Sequence, residues 1–205
     1  MRRRSNCAVP TQHALLVAWG EYAQQIGLTE ALNTIPLGQK KRVHSPQTKV
    51  LEFLVATLAG LPYLEDISRS AHPLDQDRAV AHAWGQEAWA DYSGVSRTLQ
   101  GLTFSDVERI EQQLHTISQR FLAQEIERAQ SQEGRLIYDG DLTGLPVTKS
   151  SRTYPNISYG HMDDEIRLGY QAAVVSLRSP TYGRLWLSAA HHSGNVVSST
   201  QAEAL

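Results

Sequence analysis

Apolar positions recur with helical spacing through the first two thirds of the chain, and the pattern then changes to that of strands. Residues 11–26 place Leu15, Leu16, Trp19, Tyr22 and Ile26 on a helical period, with Gly27 as a stop. Ser45-Pro46 is a cap followed by a first helical residue. The helix it opens, 46–60, carries Val50, Leu51, Leu54, Val55 and Leu58, and Gly60-Leu61-Pro62 ends it. Shorter helices are expected over 63–69 and 76–90. Asp91-Tyr92-Ser93-Gly94 reads as a turn before another short helix at Val95 to Leu99. The longest helix is expected over 105–131, with Ser105 and Glu108 as a capping box. Val107, Ile110, Leu114, Ile117 and Phe121 form a narrow apolar seam along it, suited to packing within a bundle or to a homodimer.

From Gly134 onward the units are strands. Leu136-Ile137-Tyr138 leads into Asp139-Gly140-Asp141, which reads as a strand ending in acidic residues. Residues 148–167 are a polar stretch. Tyr170 to Leu177 and Arg184 to Ala190 follow as a hairpin around Ser179-Pro180-Thr181-Tyr182-Gly183. Thr200 and Glu203 fit a helix start close to the last residue, so a truncated chain is expected. The fold class is α+β. A helical region, 1–132, precedes a smaller strand-rich region, 133–205, whose three strands form an antiparallel meander.

Bulk properties narrow the partners. The 205 residues are 41% hydrophobic and 20% charged, enough for a packed core. Net charge is −2, but residues 1–50 hold seven basic residues against two acidic ones, which leaves −7 for the remainder. Arg2, Arg3, Arg4, Lys40, Lys41, Arg42 and Lys49 make that front end suited to phosphate contacts. Arg97, at the start of a polar helix, is a further candidate for a DNA groove. The single cysteine, Cys7, excludes an internal disulfide and a multi-cysteine zinc site, and a cytoplasmic protein is expected. No apolar run is long enough to span a bilayer, and the arginines at 2–4 lack a following signal-peptide core.

Three groups of residues bear chemistry. Asp139 and Asp141, two apart, point to one face of a strand. Two carboxylates side by side repel each other, and a divalent cation would relieve them; turn residues are the alternative. Asp163-Asp164-Glu165 lies in a polar loop, and neighbouring residues do not converge on one point, so it reads as a solvated turn. His191-His192 lacks a third ligand at a recognisable spacing and reads as polar strand-end residues. No phosphate loop, nucleophile elbow or dinucleotide fingerprint is present, so no small-molecule substrate is expected.

Leu136 to Val147, reading L-I-Y-D-G-D-L-T-G-L-P-V, resembles the first catalytic strand of bacterial insertion-sequence transposases of the DDE class, with Asp141-Leu142-Thr143 as the match. His192-Ser193-Gly194-Asn195, leading to Thr200-Gln201-Ala202-Glu203, is similar to the segment after their third strand. Ser45 to Ile67 and Trp84 to Leu102 are similar to their helical N-terminal region. The resemblance implies a ribonuclease H-like fold and DNA transposition at transposon ends, with nucleoid association. It also implies two magnesium ions held by carboxylates, Asp141 being the catalytic one and Asp139 a neighbouring metal-ligand candidate. The family's second aspartate and its glutamate have no counterpart, so an inactive fragment is expected. The alternative is a non-catalytic DNA-binding or dimerising protein that modulates a full-length transposase. An incomplete sheet of this kind would leave an exposed edge and favour self-association of 133–205.

Overall fold

A computed structural model describes residues 10–148, 154–162 and 164–196. Arg2, Arg3, Arg4, Cys7, Asp163 and the expected helix start at Thr200 and Glu203 lie outside the described residues. The chain is α+β, helices first and an antiparallel sheet after them. It divides into two compact units, Met1–Gln119 and Arg120–Leu205.

The first unit contains α1 (Ala14–Gln25), α2 (Leu28–Asn33), α3 (Pro46–Leu58), α4 (Asp66–Arg69), a 3-10 turn (Leu74–Gln76), α5 (Arg78–Ala83), α6 (Tyr92–Gln100) and the first half of α7 (Phe104–Glu133). Gly27, at φ 79, ends α1 in a conformation that a side chain would strain. Ser45 caps α3 by accepting the Thr48 N–H at 3.0 Å, with Pro46 in the first turn. Asp77 and Asp91 cap α5 and α6 in the same way.

Several details differ from the sequence reading. The helix expected over 76–90 is confined to α5, because Gly85, at φ 68, follows its cap at Trp84. α6 starts at Tyr92, because Asp91 acts as an N-cap rather than as a turn residue; the two roles use the same side-chain chemistry. The capping box of α7 is Thr103 with Asp106, not Ser105 with Glu108. Asp106 accepts the Thr103 N–H at 2.9 Å, and Thr103 Oγ1 accepts the Asp106 N–H at 3.2 Å. α1 buries Leu16, Gly20 and Ala23, which leaves Trp19 and Tyr22 largely exposed. Gly20 explains that rotation. A Cβ there would lie 2.6 Å from Trp84 Cδ1 and 2.8 Å from the Ala83 carbonyl carbon, so α1 meets the end of α5 through bare backbone.

The core gathers Leu51 and Val55 of α3, Ile67 of α4, Leu74, Val80 and Trp84, and Val95 of α6, all essentially inaccessible to solvent. Each fully buried side chain of this kind stabilises the fold by about 1.5–3 kcal/mol. The Trp84 indole N–H donates to the Leu16 carbonyl at 2.9 Å, so its polar atom is satisfied. Of the seam on α7, Ile110 packs against this core, while Val107 and Leu114 remain partly exposed.

The second unit holds β1 (Tyr138–Pro146), β2 (Ser158–Met162), β3 (Glu165–Ser179) and β4 (Gly183–Ser193). The long β3 is central. β1 pairs with it antiparallel from Tyr138↔Leu177 to Pro146↔Gly169. β2 pairs with it over Ser158↔Gly169 to Met162↔Glu165, and β4 from Tyr170↔Ser193 to Ser179↔Gly183. β2 and β4 meet where Ser158 Oγ lies 2.6 Å from Ser193 Oγ. The expected meander is thus present as β1, β3 and β4, with β2 an addition drawn from the stretch read as polar loop. β1 does not stop at the acidic residues but continues to Pro146, because β3 supplies ladder partners for its whole length.

Register sorts the sheet into two faces. One carries Ala173, Leu177 and Ser179, all buried. Glu125 of α7 accepts a hydrogen bond from Ser179 Oγ at 2.6 Å and another from Thr181 Oγ1 at 2.9 Å, which places the second half of α7 against that face. The other carries Asp139, Asp141 and Thr143 of β1.

Candidate functional site

Asp139 and Asp141 stand opposite Ser176 and Val174 on β3 and project from one side of the sheet. Both are exposed. Lateral pairing extends this face to β4. Val174 stands between Asp141 and Ala189, and Ala172 between Thr143 and His191, so His191 shares the face. Its ring stacks on Tyr170 with 6.2 Å between centroids and 22° between planes. Arg184 of β4 reaches across β3 to Asp139, with Nη2 3.2 Å from Oδ2. Asp141 Oδ1 accepts the Leu142 N–H at 2.8 Å.

The first acid is therefore matched by a cation, whereas the second accepts from a backbone amide. Among the described residues no three or more His, Cys, Asp or Glu side chains come together as a group that could hold a metal ion. The described donors thus do not make up a set for two ions. Asp164 of the acidic triplet occupies the turn between β2 and β3, Glu165 begins β3 and is bonded to Arg167, and Asp163 lies outside the described residues.

The basic candidates belong to the helical unit. Lys40, Lys41 and Arg42 are exposed on the segment between α2 and α3. Arg97 is exposed on α6, in its last turn rather than at its start. The structure therefore gives Arg97 a helix flank and not a helix tip. Its charge helps hold the Asp91 carboxyl below the usual range. The hydrogen bond from Ser93 is the main cause there, and the Gly94 amide comes next.

Three buried carboxyls escaped the sequence reading: Glu52, Asp106, which caps α7, and Glu125. Glu52, on α3, is wholly inaccessible; Oε2 accepts the Ala90 N–H at 2.9 Å and Oε1 has no partner. Burial pushes its pKa to about 8, the Ala90 hydrogen bond opposes this, and Asp75 and Asp91 add to the rise. The available signal was a lone acid between Leu51 and Leu54-Val55 on an otherwise apolar stretch. Glu125 is buried in the second unit. Its carboxyl is held below the usual range, first by Ser179, against desolvation, and then by Thr181 and Arg128, with which it also forms a close ion pair.

No helix among the described residues is long and apolar enough to cross a membrane. Comparison of the chain with protein-family models, with curated proteins and with solved structures finds no match.

Proposed function

We propose that this chain is a DNA-binding polypeptide of the DDE-transposase kind, with Asp141 in the place of the first catalytic carboxylate of a ribonuclease H-like sheet. The reading is carried by one observation. Asp141 sits in a strand paired antiparallel to β3, which in turn pairs with β4, so an exposed strand-borne acid opens a three-strand meander. Lys40, Lys41, Arg42 and Arg97, all exposed, supply contacts to DNA phosphates. Magnesium would be the hard cation for an oxygen ligand such as Asp141, with further carboxylates needed beyond those grouped here. By itself the chain binds DNA and does not cut it.

The experiment is a shift assay on DNA carrying inverted-repeat ends, run beside a cleavage assay in magnesium or manganese. Salt-sensitive binding that weakens when Lys40, Lys41 and Arg42 become alanine is expected, with no cleavage product. Absence of any DNA affinity at low salt sinks the reading. Metal-dependent cleavage that survives Asp141→Ala removes Asp141 from its role. A second reading is favoured by the Asp139–Arg184 pair, which uses one of the two acids structurally. On that reading the protein has no metal chemistry, and it occupies DNA ends or pairs with a full-length transposase. Manganese binding that is unchanged by Asp141→Ala would select it.

A further inference from the structure

In the helical unit the segment before α3, the start of α3 and the α5 region enclose a cavity of about 730 Å³. Lys41, His44, Arg78 and His82 line it, against one acid, Glu87. The four come from separate places in the sequence, and only the fold assembles them. Lys41 and His44 belong to the connection between α2 and α3, and Arg78 and His82 lie one turn apart on α5. Among the described residues neither Lys41 nor Arg78 forms an ion pair with a carboxylate.

The floor is different in character. Thr48 Oγ1 donates to Gln86 Oε1 at 2.8 Å, and Gln86 Nε2 donates to the Trp84 carbonyl and to Asn33 Oδ1, both at 3.3 Å. These buried groups satisfy one another and hold the floor rigid, which leaves the cationic wall to choose the ligand. Unpaired cations facing a shared hollow concentrate anions, and the Arg78 guanidinium suits a phosphate through paired N–H donors. The volume falls within the usual range of small-molecule sites and exceeds what a bare phosphate needs.

We infer that this cavity binds a phosphate ester of nucleotide size through Lys41, His44, Arg78 and His82. The ester can be a unit of a nucleic-acid strand or a free nucleotide. The inference goes beyond the strand-borne acid, shares only Lys41 with the proposed DNA contacts, and requires no metal.

The test uses the full chain in buffer containing EDTA, so its outcome does not depend on any metal chemistry at Asp141. The probes are a fluorescein-labelled DNA oligonucleotide followed by anisotropy, and adenosine monophosphate followed by calorimetry. Lys41→Ala/Arg78→Ala should weaken binding of the responsive probe roughly tenfold or more, and for DNA should reduce the log–log salt slope by about two. Arg78→Lys should recover part of the loss. Glu87→Gln should tighten binding a few-fold, roughly, by removing the opposing charge, a gain that misfolding cannot imitate. A response confined to the oligonucleotide assigns the site to a strand, and one confined to the monophosphate assigns it to free nucleotide. The inference is overturned if neither probe binds, or if the double variant and Glu87→Gln both bind as the parent does.

Discussion

The helical and strand units hold themselves together by different means. In the first, large apolar side chains from six helices and a 3-10 turn close over one another, and Trp84, Leu51, Ile67 and Leu74 are fully buried. In the second, most buried residues are small or polar. Ala129, Ala172, Ala173, Glu125, Gln171, Ser176 and Ser179 are buried there, and Met162 and Leu177 are the large apolar side chains among them. Apolar area therefore stabilises the helices, whereas ladder hydrogen bonds and a polar network centred on Glu125 organise the sheet. A unit of the second kind depends more on each polar contact being complete, since a buried group left unpaired costs more than a made bond contributes.

The sharpest way to break this contrast is Trp84→Ala. It removes the largest fully buried side chain and the indole donor to Leu16. A loss of about 3–5 kcal/mol is expected, read by chemical denaturation. Residue-resolved hydrogen exchange should place the loss in α1, α3 and α5, with protection in β3 unchanged. Equal loss of protection in both units would show that they unfold as one.

The next effect is one of pH. The folded Glu52 carboxyl, at about 8, lies above the ordinary value of 4.5, so the folded state keeps a proton that the unfolded chain releases. The stability it contributes is complete below pH 4.5, declines between pH 4.5 and 8, and is lost above. Asp91, Asp106 and Glu125 have lowered values and act in the opposite sense; their contribution is present above the ordinary carboxylate range and is lost on acidification. Glu52→Gln keeps an acceptor for the Ala90 amide and cannot ionise. It should flatten the alkaline decline and raise stability at the alkaline end by on the order of 1–3 kcal/mol. Melting temperatures measured across the pH range will show this, and an unchanged slope would mean that Glu52 is ionised in the folded protein.

Glu125→Ala probes the sheet on its own terms. Ser179 and Thr181 would lose their acceptor, and Arg128 its partner. The amides of Thr181 and Tyr182, which bond to Ser179 Oγ, should exchange faster, while the helical core keeps its protection. Glu125→Gln should restore most of it, because a neutral amide oxygen still accepts from the hydroxyls.

How much of this was legible in the residues follows the same division. α3 announced itself through Ser45-Pro46 and its apolar stripe, because a cap and a helical period are local signals. The buried face of α1 did not, since its contact is made by Gly20, and a glycine carries no hydrophobic mark. In the sheet, β1, β3 and β4 were expected near their places. β2 was hidden because Ser158 to Met162 is short and mixed in polarity, and it is a strand only because β3 extends far enough to pair with it. Asp139-Gly140-Asp141 looked like a strand end for the same reason that it is a candidate site: polar residues interrupt the pattern, while the ladder continues through them. That Arg184, far along the chain, would engage Asp139 depends on a three-strand register and a bulge between Val175 and Ser176, which no local spacing encodes.

That pair supplies the smallest expected effect and the most direct test of what the exposed face does. Arg184 and Asp139 are both more than half exposed, so removing their attraction with Arg184→Ala should cost no more than about 1 kcal/mol. The consequence for binding is larger if the carboxylates are a metal site in part. With Arg184 gone, Asp139 and Asp141 face solvent as two like charges on neighbouring same-face positions of β1, an arrangement that a divalent cation relieves. Manganese affinity, followed by calorimetry or paramagnetic broadening at β1, should rise in Arg184→Ala and fall again in Arg184→Ala/Asp141→Ala. Equal affinity in all three proteins would make the acid pair a structural feature of the sheet face, held by Arg184 and by the Leu142 amide, and would leave the charged hollow of the helical unit as the place where this chain meets phosphate.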